Sequence, residues 1–539
     1  MTHSYPSDSS PHAPATAAPA GAPVAAAPLN DLQARFDEAV ALHHSGQLAA
    51  AQAAYEAIVA ADPAHADAWH FLGVLAIQCD DPLRALDWIG RAITINPGNA
   101  MYYMNHGNVL RQTGHMQAAL ASFDQAIAMA PDFADAHVLR GNTLHELQQL
   151  EAAVASFDRA LALRPQDVVV CFNRGNALRA LGQLEAAVAS FDQAVAMEPE
   201  FAEAYVNRGM TQRALQQFDA AMASFDRAIA LRSDFAEAYL NRGLTLQEFS
   251  STPDGLEDAI RMFDKACQLL PDAPEQHLCH AMALAKAQRL VEAEAAARRA
   301  LAADTNDSSG ARMFLAALGA VPMPDKIPDA LLHKLYDAKA SVWDTDANAH
   351  YQGAELVGRA LLAQQRARAM DVLDAGCGTG LVGVLVRSMA ARLDGVDMSQ
   401  PMLERAREKA VYDTLACGDM VALMRQRPQQ YDAVVSAATL VHFASLQGIF
   451  EAAATTLRPG GLFIFTVFPN DKDPGGFAVD HLDGMAQGGI YVHGRDYLHT
   501  LARQTGFAVQ GMELAIHEYE ANEQPKMCLL VTLVRSAPV

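Results

Sequence analysis

Val372-Leu-Asp-Ala-Gly-Cys-Gly-Thr-Gly380 joins an apolar run, a carboxylate and three glycines without interruption. An apolar run ending in an acid reads as a buried strand. Gly376, Gly378 and Gly380 let the backbone turn sharply into a helix and leave bare main chain for a ligand to approach. A nucleotide-like ligand belongs at such a turn. Glycines alone do not say which one, because dehydrogenases hold a pyrophosphate on G-x-G-x-x-G at the same structural point; here the third glycine comes one residue early.

The next apolar run, Leu393-Asp-Gly-Val396, ends at Asp397, seventeen residues beyond Gly380, where a carboxylate can accept both hydroxyls of a ribose. Tyr431-Asp-Ala-Val-Val-Ser436 and Leu462-Phe-Ile-Phe-Thr-Val467 continue the series, alternating with amphipathic helical stretches. Strands alternating with helices predict an α/β, Rossmann-like sheet. Two last runs, one from Phe507 to Tyr519 and one from Lys526 to Val534, are joined by a short acidic turn and predict an antiparallel edge hairpin.

Upstream the period changes. Gly73, Gly107, Gly141, Gly175, Gly209 and Gly243 recur every 34 residues, Ala119-x3-Phe123, Ala153-x3-Phe157, Ala187-x3-Phe191 and Ala221-x3-Phe225 keep that register, and Pro63, Pro97, Pro131, Pro165 and Pro199 close successive units. This is the pattern of tetratricopeptide (TPR) repeats, helix hairpins in which small residues allow close approach, Phe fills the gap and Pro stops the second helix. Units start near residues 32, 66, 100, 134, 168, 202, 236 and 274, with Ala39 in place of the first glycine and a four-residue insertion after Glu248 that predicts a longer turn. The expected organisation is multidomain: an Ala/Pro-rich tail over residues 1–30, an all-α solenoid of about eight repeats over 31–308, a proline-rich linker over 309–328 and an α/β domain over 329–539.

Bulk properties narrow the function. A formal charge of −22 argues against general affinity for nucleic acid phosphates. Seven cysteines without a C-x-x-C spacing indicate neither a disulfide framework nor a zinc site, so no metal is expected. The first Lys or Arg is Arg35 and no run of eighteen apolar residues occurs, so neither a secretory signal nor membrane insertion is expected, and a cytoplasmic protein is the simplest reading.

The ordered segments LDAGCGTG, GVDMS, CGDM, YDAVVS and LRPGG resemble the motif set of class I S-adenosylmethionine-dependent methyltransferases over residues 330 to 539. The resemblance implies S-adenosyl-L-methionine as cofactor, with Asp374, Ala375, Gly376, Cys377, Gly378, Thr379 and Gly380 around its methionine part. It implies Asp397 and Met398 at the ribose, Asp419 and Met420 at the adenine, and Ser436 at the end of the fourth strand. Tyr336-Asp-x2-Ala-x2-Trp343-Asp344 is similar to the aromatic-acid segment that closes over the cofactor in quinone and small-molecule methyltransferases, which adds Tyr336 and Trp343. Together with Val492-His-Gly-Arg-Asp-Tyr-Leu498, the layout resembles bacterial TPR proteins fused to such a domain.

Methyl transfer from a sulfonium is an in-line displacement that needs alignment and, for some acceptors, removal of one proton. His442, His481 and His493 are the histidines near the expected acceptor side, and His442, just past the fourth strand, is the best placed as a base. Cys377 has no base beside it that would make it a nucleophile and reads as a small residue that fits. Ser436-Ala-Ala-Thr439 lacks the N/D-P-P-Y/F sequence of enzymes that methylate exocyclic base nitrogens, which argues against DNA as acceptor. In the repeats, Asn105, Asn173, Asn207 and Asn241 share the sixth position, and this resembles the asparagine ladder with which TPR domains grip a peptide backbone. Leu139 and Phe71 interrupt the ladder. The expected partner is therefore a protein or peptide in the TPR groove, recruited as substrate or as partner. A scaffold with an idle second domain and a methyltransferase of quinone, lipid or sugar precursors are the alternatives.

Overall fold

The computed structural model describes residues 29–249, 252–340, 342–345, 350–366, 368–479, 490–519 and 524–537. The expected tail, apart from its last two residues, lies outside them, as do His481 and the acidic turn of the last hairpin. The chain divides into two compact units, one ending at Leu231 and one starting at Arg232.

Six helix hairpins make up the first unit, at Leu29–His44 with Leu48–Ala61, Ala66–Gln78 with Pro82–Ile95, Ala100–Gln112 with Met116–Met129, Ala134–Glu146 with Leu150–Leu163, Val168–Ala180 with Leu184–Met197, and Ala202–Ala214 with Phe218–Leu231. The 34-residue glycines have a steric cause. A Cβ built at Gly141 would lie 2.6 Å from Cε1 of Phe157, and one at Gly175 would lie 2.6 Å from Cε1 of Phe191. These Phe side chains are fully buried and occupy the space a larger residue would need. The Arg that precedes each of these glycines clamps adjacent hairpins: Arg140 donates to Asp124 at 2.7 Å and to Ser156 at 2.7 Å, and Arg174 donates to Asp158 and Ser190 at 2.6 Å each.

The second unit opens with two more hairpins, Ala236–Phe249 with Pro253–Leu269 and Pro274–Lys286 with Leu290–Ala303. Only residues 250–252 separate the first pair, as many as in the other repeats, so the insertion lengthens the helices, to 14 and 17 residues, and does not enlarge the turn. Apolar side chains explain this, because Leu256 and Ile260 join the hydrophobic cluster of the last hairpin when the helix starts early. Within residues 309–328, the helix Ala311–Ala317 buries Phe314 and Leu315 against that hairpin and Met313 against Ile327, Leu331 and Tyr491.

Among the described residues nine strands follow: β1 Met370–Ala375, β2 Ala390–Asp397, β3 Thr414–Cys417, β4 Tyr431–Ser436, β5 Leu457–Pro469, β6 Phe477–Val479, β7 Tyr491–His493, β8 Phe507–Tyr519 and β9 Pro525–Arg535. Strands β3, β2, β1, β4 and β5 are parallel in that order. Strand β9 runs antiparallel to β5, and β8 forms the outer strand of the hairpin on β9. The short β3, β6 and β7 carry too few apolar residues to stand out in the sequence. No described helix is long and apolar enough to cross a membrane.

Candidate functional site

The carboxyl ends of β1, β2 and β4 meet where the strand order reverses around β1, the position at which open α/β sheets leave a crevice. One pocket there is lined by Gly376 to Thr379, by Asp397 and Met398, by Asp419 and Met420, and from the other side by Tyr336, Trp343 and His442. The loop conformation depends on its glycines. Gly376 sits at φ +79° with its Cα so close to Thr439 that a Cβ would lie 2.2 Å from Oγ1. Gly378, at φ +53°, would instead project a Cβ into open space, which is the room a ligand needs.

Asp397 terminates β2 with its carboxylate fixed by two backbone donors, Gly378 N at 2.8 Å and Ser399 N at 2.9 Å. Burial pushes its carboxyl above the ordinary range, and those donors oppose the rise. Asp419 accepts from Ala422 N at 2.8 Å as a helix cap and lies 3.5 Å from Lys326. Asp374, Ala375, Gly380 and Ser436 lie behind the pocket wall. Ser436 Oγ donates to the Ala375 carbonyl at 2.6 Å, and a Cβ at Gly380 would meet Tyr412 at 2.9 Å. Asp374 is fully buried, accepts from the Tyr412 hydroxyl at 2.7 Å on Oδ2, and has no described partner for Oδ1. Desolvation pushes its carboxyl up to about 7. A partnerless buried carboxylate oxygen beneath a glycine loop fits a ligand that brings a cation, as the amino-acid end of S-adenosylmethionine does. Cys377 is buried, and burial raises its thiol well above the ordinary value.

The opposite wall comes from the helix Asp329–Lys339 and the residues after it. Tyr336 and Trp343 hold their ring centroids 5.8 Å apart, and Tyr351, which lies in none of the motifs, extends the wall 6.0 Å from Trp343. The two acids of this segment fasten it over the carboxyl ends of β1 and β2: Ser399 Oγ donates to Asp337 at 2.6 Å, and Thr379 Oγ1 donates to Asp344 at 2.6 Å. Lys409 joins Asp344 as an ion pair and donates to the Thr379 carbonyl at 2.7 Å. Lys326 also lines the pocket, from the segment read as linker.

His442 follows β4 in a single turn of 3-10 helix, Leu440–His442, with Nε2 2.7 Å from the Tyr336 hydroxyl. Burial lowers its pKa to about 4, assisted by Lys339 and Lys326, so the imidazole is neutral at pH 7. His493 is fully buried in β7, away from the pocket lining, with Nε2 2.9 Å from the Phe443 carbonyl.

In the repeats each sixth-position amide makes one hydrogen bond within the solenoid, which leaves further donor and acceptor capacity. Asn173 Nδ2 donates to Asn142 at 3.0 Å and Asn207 Nδ2 to Asn176 at 3.0 Å, which pairs amides of successive hairpins. Asn105 lies 2.8 Å from His70 Nε2. Asn241 is buried and donates to the Glu237 carbonyl at 2.9 Å. Asn142, Asn173 and Asn176 line a polar pocket together with Arg111, His145 and Glu146.

Family models agree with both halves. A model described as Methyltransferase domain matches residues 373–465, and one described as Tetratricopeptide repeat matches residues 36–100, 104–168 and 172–236. The chain carries tetratricopeptide repeats and a methyltransferase domain. This chain is 31% identical over 144 residues to a malonyl-[acyl-carrier protein] O-methyltransferase of Priestia megaterium, covering 26% of this chain and 52% of the relative. It is 32% identical over 131 residues to a ubiquinone biosynthesis O-methyltransferase of Idiomarina loihiensis, covering 23% and 54%. The chain thus spans about half the length of these curated relatives. Among solved structures, the TPR protein YrrB, described as having an unusual peptide-binding site, is 26% identical over 37% of this chain and 97% of its own, with a TM-score of 0.32.

Proposed function

We propose that this chain is an S-adenosylmethionine-dependent methyltransferase that acts on an oxygen acceptor, with its repeats engaging a polypeptide. The carrying observation is a pocket flanked on one side by Gly376 to Thr379, Asp397 and Asp419 and on the other by the neutral Tyr336–His442 pair. The cofactor brings an electrophilic methyl group. Asp397 would hold its ribose hydroxyls, Met398, Asp419 and Met420 would enclose its adenine, and Asp374, beneath the glycine loop and not on the pocket lining, would favour its ammonium through its charge. Tyr336 and Trp343 would exclude water, and the acceptor's proton would pass to the Tyr336 oxygen as the Tyr336 hydroxyl proton moves to His442 Nε2.

The O-methyltransferase relatives support an oxygen acceptor, and the aromatic wall favours a small or tethered group. The amides of Asn173 and Asn207, with their partners Asn142 and Asn176, are the residues through which a peptide backbone would be gripped. The division into a tail, repeats to 308, a connecting segment and a catalytic domain from 329, and a cytoplasmic location, belong to the same proposal.

Calorimetry of the full chain with S-adenosylmethionine tests it. Asp397→Ala should weaken binding by about 1.5 to 3 kcal/mol, the scale of hydrogen bonds to a charged group. Undiminished affinity would remove Asp397 from the site. Absence of binding by the unaltered chain would replace the proposal with a repeat scaffold bearing an idle domain.

A further inference from the structure

The segment from Tyr491 to Tyr497 lines no part of the pocket, yet its polar side chains converge on the backbone of the loop that carries His442. His493 Nε2 lies 2.9 Å from the Phe443 carbonyl and 3.2 Å from the Ala444 carbonyl. Carbonyls only accept, so Nε2 carries a proton and donates to both, and burial, which lowers the ring's pKa to about 4, leaves Nδ1 without one at pH 7. The Tyr497 hydroxyl accepts from Leu446 N at 2.9 Å. From the opposite side, Ala444 N donates to the Asp325 carbonyl at 2.8 Å and Ile327 N donates to the His442 carbonyl at 3.0 Å. The Tyr491 hydroxyl donates to the Pro324 carbonyl at 2.7 Å, tying that second strap to the same motif.

We infer that His493 and Tyr497 are positioning residues: they hold the loop from His442 to Leu446 so that the His442 ring meets the Tyr336 hydroxyl at the acceptor side of the pocket. The inference rests on the proposed role of His442. The geometry gives a reason for each donor and acceptor. A loop of this kind has backbone groups that water would otherwise satisfy, and here they are satisfied by fixed side chains, which limits the ring to one placement. His493 stacks on Tyr497 with centroids 6.0 Å apart, so the two act as one support.

The test reads His442 directly, without an acceptor or cofactor. In full-length protein labelled with nitrogen-15 in histidine, the His442 resonances are assigned by their loss in His442→Asn and titrated by NMR. Tyr336, Lys339 and Lys326 are the titratable groups facing this ring, and they remain in every variant. His493→Leu should move the His442 titration upward by on the order of one pH unit or more as the ring gains water. His493→Gln, which keeps an N–H donor, should restore it toward the original position, with the unfolding temperature of the two variants alike. Tyr497→Phe supplies an independent variant should His493→Leu not fold, and is expected to shift His442 in the same direction. An unmoved His442 titration in folded His493→Leu, or in Tyr497→Phe where that variant alone folds, overturns the inference. Because the readout does not use S-adenosylmethionine, a failure here is distinct from a failure to bind the cofactor.

Discussion

The Tyr336 hydroxyl lies 2.7 Å from Nε2 of His442, joining a helix that precedes the first strand to the loop that follows the fourth. Burial keeps the imidazole neutral and raises the phenol above its ordinary value. A neutral ring against a protonated phenol is a proton-accepting pair at pH 7, set in a wall that is otherwise aromatic.

His442→Gln should therefore lower methyl transfer by about 10²-fold or more, the lower range for loss of a general base, while cofactor affinity measured by calorimetry stays unchanged. Because the ring's pKa is lowered to about 4, the acid limb of the rate should fall near that value and not near the 6.5 of an ordinary histidine. Transfer of labelled methyl groups from the donor into an extract, followed from pH 4 to 8, checks both. With the donor saturating, so that the titration of Asp374 does not enter the rate, an acid limb centred on 6.5 would exclude His442 as the proton acceptor.

Cofactor binding should release a proton at neutral pH. Asp374 is pushed up to about 7 by burial, so a substantial fraction is protonated in the free chain, and a cation brought to its partnerless oxygen favours the ionised form. Affinity should rise as pH increases through about 7 and level off above it. Calorimetry in buffers of different ionisation heat measures the released proton directly, and Asp374→Asn should abolish the release.

Acid should weaken the repeat hairpins through His70. Its ring is buried, stacks on Tyr102 at 4.7 Å and lies 2.8 Å from Asn105 Nδ2, and desolvation lowers its pKa to about 4. The folded state binds its proton at lower pH than the unfolded chain does. The associated stability is thus present above 6.5 and lost as pH falls toward 4, at no more than about 1.4 kcal/mol per pH unit. Urea unfolding at pH 7 and pH 5 should show a smaller loss in His70→Gln than in the unaltered chain.

Two glycines in the repeats should respond to alanine with opposite signs. A Cβ at Gly90 meets nothing within 4 Å, so Gly90→Ala should stabilise by about 0.5 to 1 kcal/mol through helix propensity. At Gly141 the same atom would lie 2.6 Å from the Phe157 ring, and Gly141→Ala should destabilise by about 1 to 3 kcal/mol. Thermal unfolding compares them, and Phe157→Leu should relieve the second.

The repeat hairpins and the strand, glycine loop and helix around residue 376 were legible from the residues alone. Both depend on relations at short or constant spacing: a Gly and its Phe are sixteen residues apart in each of four successive repeats from Gly107 to Gly209, and a positive φ is a property of one residue in its own turn. Asp397 was legible for the same reason, since a strand end following a glycine loop carries a regular spacing. Only the tertiary structure decided which side chains face that loop. Tyr336 and His442 are 106 residues apart, Asp344 and Thr379 are 35 apart, and Tyr351 and Lys326 lie in stretches with no periodicity. Their meeting depends on how the helix Asp329–Lys339 packs over the carboxyl ends of β1 and β2, a result of burial summed over many residues. The same holds for His493, which sequence position alone groups with His442 as a base. The fold instead turns its donor onto a backbone carbonyl and away from the pocket.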